Sequence, residues 1–98
     1  MRIQFSFRNV ESSEGLKNYA SEKIAKLQKY LRAPLQAEVV FSLEKHHHQL
    51  DISVVANGNR YAAHHEGDNM YACVDLAMDK IDRQVRRDKD THLARRHG

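Results

Sequence analysis

The chain has 98 residues, with 16 lysines and arginines against 13 aspartates and glutamates, one cysteine and no tryptophan. This length predicts a single domain whose one modest core leaves little room for a deep catalytic pocket. An apolar fraction of 41% argues against a disordered chain, and one cysteine excludes an internal disulfide and a cysteine-rich zinc site, which is typical of a reducing, cytosolic setting. No apolar run is long enough to span a membrane, and the first ten residues lack the apolar core of a secretory signal.

The first predicted elements are a strand and a helix. Residues 2–8 alternate between apolar and polar side chains, a period typical of a strand with one buried face. A helix is predicted at roughly 13–31, with Ser12 or Ser13 as its N-cap and Pro34 as its stop. Its apolar residues recur at steps of three and four, at Leu16, Ala20, Ile24, Leu27 and Leu31.

Three further strands are predicted in the middle of the chain. Residues 37–45 and 50–56 alternate in the same way, and the segment 46–49 between them is short enough for a hairpin connection. The Asn-Gly pair at 57–58 favours a type I′ turn, which needs positive φ at both central residues. A strand at 60–66 follows this turn.

A second helix is predicted from about 69 to 89, with Asp68 or Asn69 as its N-cap. From Thr91 onward the sequence has no period, so residues 91–98 are expected to form a frayed basic tail. The apolar stripe of the helix consists of Met70, Cys73, Val74, Ala77, Met78, Ile81 and Val85.

The order β-α-β-β-β-α indicates an α+β fold of two layers. Each strand has one apolar face and each helix one apolar stripe, so we expect a four-stranded sheet with both helices on one face. The other sheet face is expected to be solvated and acidic, with Gln4, Ser6, Glu38, Ser42, Glu44, Asp51 and Ser53.

The net charge of +3 hides an uneven distribution along the chain. Residues 16–32 hold five cations and one acid, and residues 80–98 hold seven cations and three acids, so each block has a net charge of +4 and the remainder −5. Helical geometry places acids and cations on different flanks of the second helix. The acids are Asp75, Asp79 and Asp82, and the cations of the other flank are Lys80, Arg83 and Arg87.

On the first helix Lys23, Lys26 and Lys29 step from the apolar stripe toward solvent. If the two helices lie side by side, these lysines and the cations of the second helix are expected to merge into one basic surface. The alternative is an ordinary solvated surface, partly compensated by the i,i+4 pairs Asp79–Arg83 and Asp82–Arg86. Charge alone supports the two interpretations about equally.

Several residues of types that often bind metals, act as nucleophiles or bind bases have simpler structural explanations here. The histidines, three of them consecutive at 46–48, lack the spacing of a metal site, and Cys73 falls on an apolar stripe, where a buried side chain is favoured over a nucleophile. Solvated carboxylates are a commoner explanation of the acidic flank than a cation site. For Tyr71, half-buried packing is favoured over a stacking platform for a base. No acid–base or nucleophile constellation and no cofactor motif indicates an enzyme.

The second helix carries a more specific pattern. Residues 68–75 read DxMYxxxD, residues 79–84 read DKxxRQ, and Lys89 follows. With the Lys-rich run at 25–30 and the element order, these motifs resemble the short ribosome hibernation promoting factor family, in the superfamily of ribosome-associated translation inhibitors and sigma-54 modulation proteins. The similarity extends over nearly the whole chain.

This resemblance implies a fold like that of double-stranded-RNA-binding domains and a cytoplasmic, non-enzymatic bacterial protein of stationary phase and stress. It implies binding to ribosomal RNA in the decoding channel of the small subunit, where the protein blocks messenger and transfer RNA, inhibits translation and supports ribosome dimers. A small ribosome modulation factor is a second expected partner. The implied RNA contacts are Lys23, Lys26, Lys29, Lys80, Arg83, Arg86, Arg87 and Lys89.

On this interpretation residues 1–90 are one ribosome-binding domain and residues 91–98 a flexible basic tail. Two other functions stay open. A free double-stranded-RNA-binding module would share the basic surface, and a protein-interaction module would bind an acidic partner through the second helix. Neither a membrane nor a small-molecule substrate is expected.

Overall fold

The computed structural model describes the backbone of residues 1–97 and the side chains of residues 1–88. The elements confirm the predicted order β-α-β-β-β-α, with a short 3₁₀ segment after the first helix. They are β1 Arg2–Arg8, α1 Glu14–Ala25, the 3₁₀ segment Lys26–Lys29, β2 Leu35–Glu44, β3 His47–Ala56, β4 Asn59–Gly67 and α2 Met70–His97.

The strands form one sheet in the order β1-β2-β3-β4. β1 runs parallel to β2, and the other two pairs are antiparallel. A parallel pair needs a crossover, which here is α1 and the 3₁₀ segment. The inward side chains of the sheet and the stripes of both helices form one buried cluster, so both helices cover the same face. Every residue of the two predicted helical stripes is buried.

The predicted helix caps are present. Ser13 Oγ accepts a hydrogen bond from the Leu16 N–H at 3.2 Å. Asn69 Oδ1 accepts from the N–H groups of Tyr71 at 2.9 Å and Ala72 at 3.2 Å, so Asn69 rather than Asp68 caps α2. Each cap satisfies backbone donors that have no partner inside the helix.

Both hairpin turns have positive φ at their two central residues. Asn57 and Gly58 have φ of 53° and 80°, as the Asn-Gly pair predicts. The prediction of a connection at 46–49 was wrong, because the turn is Lys45-His46, with φ of 50° and 67°, and pairing resumes at Glu44–His47. Two left-handed residues cost about 1–2 kcal/mol each. The long β2–β3 ladder, which continues to the turn itself, offsets that cost.

The helices also end at different residues from those predicted. The α-helical part of the first helix ends at Ala25, and the chain continues as the 3₁₀ segment, whose Leu27 is buried. α2 continues through His97 instead of ending near residue 89, because neither glycine nor proline interrupts residues 70–97. Flexibility of residues 91–98 stays a prediction. No helix in the described part of the chain is long and apolar enough to cross a membrane.

α2 also covers the outer edge of β4. Gln84 donates from Nε2 to the Ala62 carbonyl at 2.8 Å and accepts from the Ala62 N–H at 3.1 Å. Lys80 Nζ donates to the His64 carbonyl at 3.2 Å. These bonds satisfy backbone groups that an edge strand leaves unpaired. They also fix which flank of α2 faces the sheet edge.

Candidate nucleic-acid interface

The flank of α2 beside β4 carries exposed cations. Lys80, Arg83 and Arg87 are all exposed, and the bond of Lys80 to a carbonyl leaves its charge uncompensated. Lys89, also proposed as an RNA contact, lies in α2, but its side chain falls outside the described residues. Lys80, Arg83 and Arg87 form what we call the cationic α2 flank, as the sequence predicts.

Lys23 of α1 and Lys26 and Lys29 of the following 3₁₀ segment, which we call the α1 lysines, lie on a cleft between the helices. The cleft has a volume of about 210 Å³. Lys23 is half-buried, whereas Lys26 and Lys29 are exposed. The Lys29 Nζ lies 5.3 Å from the ring centroid of Tyr30, close enough for a cation–π contact. Besides these residues, the cleft is lined by Leu27, Asp75, Met78, Asp79 and Asp82. The α1 lysines therefore face the acidic flank of α2.

A three-residue network joins the helices in this cleft. Tyr19 donates its hydroxyl to Asp75 at 2.6 Å, and Lys23 Nζ lies 3.2 Å from the same carboxylate oxygen. The bond from Tyr19, and then that from Lys23, lowers the pKa of Asp75, while Asp75 raises the pKa of both partners. Asp75 is therefore ionised at neutral pH and compensates the Lys23 charge.

A second pair compensates one more of the proposed RNA contacts. Arg86 Nη2 lies 2.9 Å from Asp82 Oδ2, the predicted i,i+4 pair. The other predicted pair, Asp79–Arg83, does not form, since no ion pair within 4.0 Å joins these two described side chains. Asp79 thus remains an uncompensated acid beside the α1 lysines.

The expected merging of the basic stripes does not occur. An acidic strip of Asp75, Asp79 and Asp82 lies between the α1 lysines and the cationic α2 flank, because this strip faces α1 while Lys80 contacts β4. The helical layer thus offers two separate cationic surfaces. Their uncompensated members are Lys26 and Lys29 on one and Lys80, Arg83 and Arg87 on the other.

Asp88 makes a structural contact with β4. Tyr61 donates its hydroxyl to Asp88 Oδ2 at 2.6 Å. Burial, followed by this hydrogen bond, raises the pKa of Tyr61 to about 12. The bond ties α2 to β4, so Asp88 holds the helix in place over the sheet.

The remaining candidate groups have structural explanations. Cys73 is buried, and burial raises the pKa of its thiol, which disfavours the reactive thiolate. His64 contacts Asp51 at 2.9 Å and Glu66 at 3.2 Å, and these bonds raise its pKa. Within the described residues, no group of three or more histidine, cysteine, aspartate or glutamate side chains could hold a metal ion.

Comparison with known proteins identifies the family. Residues 3–92 match the family model described as Sigma 54 modulation protein / S30EA ribosomal protein. The chain belongs to this family. The ribosome hibernation promoting factors of Salmonella typhimurium and Escherichia coli K12 are 38% and 37% identical to it over 90 residues, covering 92% of this chain and 95% of each relative. The resemblance seen in the motifs is thus confirmed.

Two solved structures share the fold. The N-terminal domain of Thermus thermophilus Protein Y superposes with a TM-score of 0.82 at 31% identity, covering 89% of this chain and 98% of that one. A ribosomal subunit interface protein from Coxiella burnetii gives 0.79 at 27% identity, covering 92% and 99%. The family consists of ribosome-associated hibernation factors without enzymatic activity, and this S30EA protein is one of them.

Sequence reasoning missed two features of the interface. The Tyr19–Asp75–Lys23 network had a partial signal, because Tyr19 and Lys23 are four residues apart on one helical face. The contact of Gln84 with the β4 edge had no signal in the sequence, because its partner lies 22 residues away.

Proposed function

We propose that this S30EA protein binds in the decoding channel of the small ribosomal subunit, occludes the path of messenger and transfer RNA, and thereby inhibits translation. In stationary phase it supports ribosome dimerisation, together with a small ribosome modulation factor. Its curated relatives carry the name ribosome hibernation promoting factor, which supports the hibernation role.

The observation that carries the proposal is the exposure of uncompensated cations on the helical layer. Lys26, Lys29, Lys80, Arg83 and Arg87 have no ion pair within the described side chains. Cations in this state can neutralise phosphates and release condensed counterions, which supplies affinity without reading sequence. The acidic strip between the two cationic surfaces favours contact with two separated segments of RNA backbone over one continuous strand.

The mechanism is steric and needs no chemical step. Cationic side chains hold the domain against ribosomal RNA, and the folded body fills space that messenger and transfer RNA otherwise use. The site of action is the cytoplasm, where ribosomes work. Contacts of Lys23, Arg86 and Lys89 with RNA remain part of the proposal, with Lys23 and Arg86 first having to leave their carboxylate partners.

Co-sedimentation with purified small subunits tests the proposal. The double variant Arg83→Glu/Arg87→Glu should remain folded but lose co-sedimentation. The matched control is Arg2→Glu/Arg60→Glu, which changes the net charge equally at two exposed residues on the open face of the sheet. Equal binding of both double variants and the wild type would contradict the proposal.

A gel shift on a plain RNA duplex separates the alternatives. A free double-stranded-RNA-binding module would bind the duplex as tightly as it binds the small subunit. A module for an acidic protein would bind neither RNA at low salt. The hibernation factor should prefer the small subunit strongly over the duplex.

A further inference from the structure

Tyr71 is a large aromatic side chain that the fold holds in place and yet leaves in solvent. Its side chain belongs to the first turn of α2, where its N–H is held by the Asn69 cap. It is 43% exposed, although most large apolar side chains of this chain are buried. The exposed part of the ring is therefore accessible to a partner.

The neighbours of Tyr71 hold the ring in one position. Its centroid lies 5.1 Å from that of Tyr19, with the rings at 69°, an edge-to-face contact. A Cβ atom at Gly15 would lie 2.6 Å from the Tyr71 hydroxyl oxygen, so the phenol lies directly over the α1 backbone. The hydroxyl end of the ring thus occupies space that a side chain at position 15 would otherwise fill.

The Tyr19 ring connects Tyr71 to Lys23. Tyr19 contacts Tyr71 on one side, and the Lys23 Nζ lies 5.3 Å from the Tyr19 ring centroid. Lys23 is paired with Asp75 in the free protein, so a phosphate must first displace this carboxylate; the base of that nucleotide then lies on the side of Tyr19 and Tyr71. Stacking on an aromatic ring is the general way in which proteins hold unpaired bases.

We infer that Tyr71 stacks against an unpaired base of the bound RNA, next to a phosphate held from the Lys23 side. This inference rests on the proposed function, because it needs RNA at the helical layer. Stacking on a phenol face tolerates every base, so Tyr71 adds affinity without choosing sequence. It also gives this end of the helical layer a contact that salt does not screen.

The test compares aromatic and aliphatic substitutions in titrations with purified small subunits at several salt concentrations. Tyr71→Phe and Tyr71→Trp should bind within about three-fold of the wild type, and Tyr71→Leu should lose about 5- to 150-fold, the range of one stacked base. The loss should be the same at every salt concentration, whereas Arg83→Gln should lower the salt slope by about one phosphate contact. Val55→Ala, at an exposed apolar residue of the open sheet face, is the control.

The outcomes separate the inference from the function on which it rests. Tyr71→Leu binding like the wild type, or Tyr71→Trp and Tyr71→Leu losing affinity equally, overturns the stacking role while the proposed function stands. Should the wild type fail to bind small subunits, both are overturned. If Tyr71→Leu does not fold, Tyr71→Met takes its place in the comparison, because its flexible side chain fills apolar space without a ring face on which a base can stack.

Discussion

Replacing Asp82 by asparagine should strengthen binding to the small ribosomal subunit, because Asp82 occupies Arg86 at 2.9 Å. Both side chains are partly exposed, at 52% for Arg86 and 35% for Asp82. Such an i,i+4 pair contributes only about 0.3–0.5 kcal/mol to stability, so the variant should fold normally. Its loss frees one guanidinium for RNA phosphate.

The magnitude follows from the number of uncompensated cations. Five phosphate contacts give a slope of log K against log salt of about −3.5 to −4.5, at about 0.7–0.9 per contact. A sixth contact from Arg86 steepens this to about −4.2 to −5.4, and at 0.1 M salt it raises the affinity about five- to eight-fold.

Filter binding or sedimentation titration between 50 and about 300 mM monovalent salt measures both quantities. The matched control is Glu38→Gln, which removes one exposed carboxylate from the open face of the sheet. At 0.1 M salt the Debye length is about 10 Å, so the control should change affinity little. Equal affinity and slope in Asp82→Asn and Glu38→Gln would refute the idea that Asp82 competes with phosphate for Arg86.

Three further predictions concern the fold. Gln84→Ala should destabilise the protein by about 1 kcal/mol, because two exposed hydrogen bonds are lost, and should speed hydrogen exchange at the Ala62 amide; an unchanged rate would contradict the edge contact. The pKa of His64 is raised in the folded state. Its contribution to the free energy of unfolding is therefore full below about pH 6.5 and is lost as the pH rises through the raised value. His64→Gln should therefore lower Tm by about 2–4 °C at pH 5.5, which corresponds to a loss of about 0.5 kcal/mol at a half-exposed site. At pH 9 the substitution should hardly change Tm. A change in Tm that is the same at both pH values would contradict this role of His64. Ile81→Ala should cost about 2–5 kcal/mol by denaturant unfolding, whereas exposed Leu76→Ala should stay within about 0.5 kcal/mol.

Periodicity was enough to predict the core, because burial imposes its spacing on the sequence. The stripes of both helices are buried as predicted, and Asn57-Gly58 forms the turn that its backbone freedom favours. Lys45-His46 forms a turn of the same geometry without a comparable signal, since its conformation depends on the ladder that follows it.

The candidate interface could be predicted only in part. Sequence showed which residues share a helix flank, because helical geometry is local. It did not show which flank faces the neighbouring helix, because that depends on how α2 lies against β4 and α1. Asp75 therefore had no predicted partner, although Tyr19 and Lys23 both contact it.

The contact of Gln84 with Ala62 has a consequence for how copies of this protein can associate. A primary amide presents one donor and one acceptor side by side, like a short piece of an added strand, so a foreign strand would have to displace it from β4. Within the described side chains, none hydrogen-bonds to the outer edge of β1. Head-to-tail pairing of sheets, which needs both edges, is thereby disfavoured, whereas pairing of β1 with β1 of a second copy closes at two copies instead of growing into a fibre.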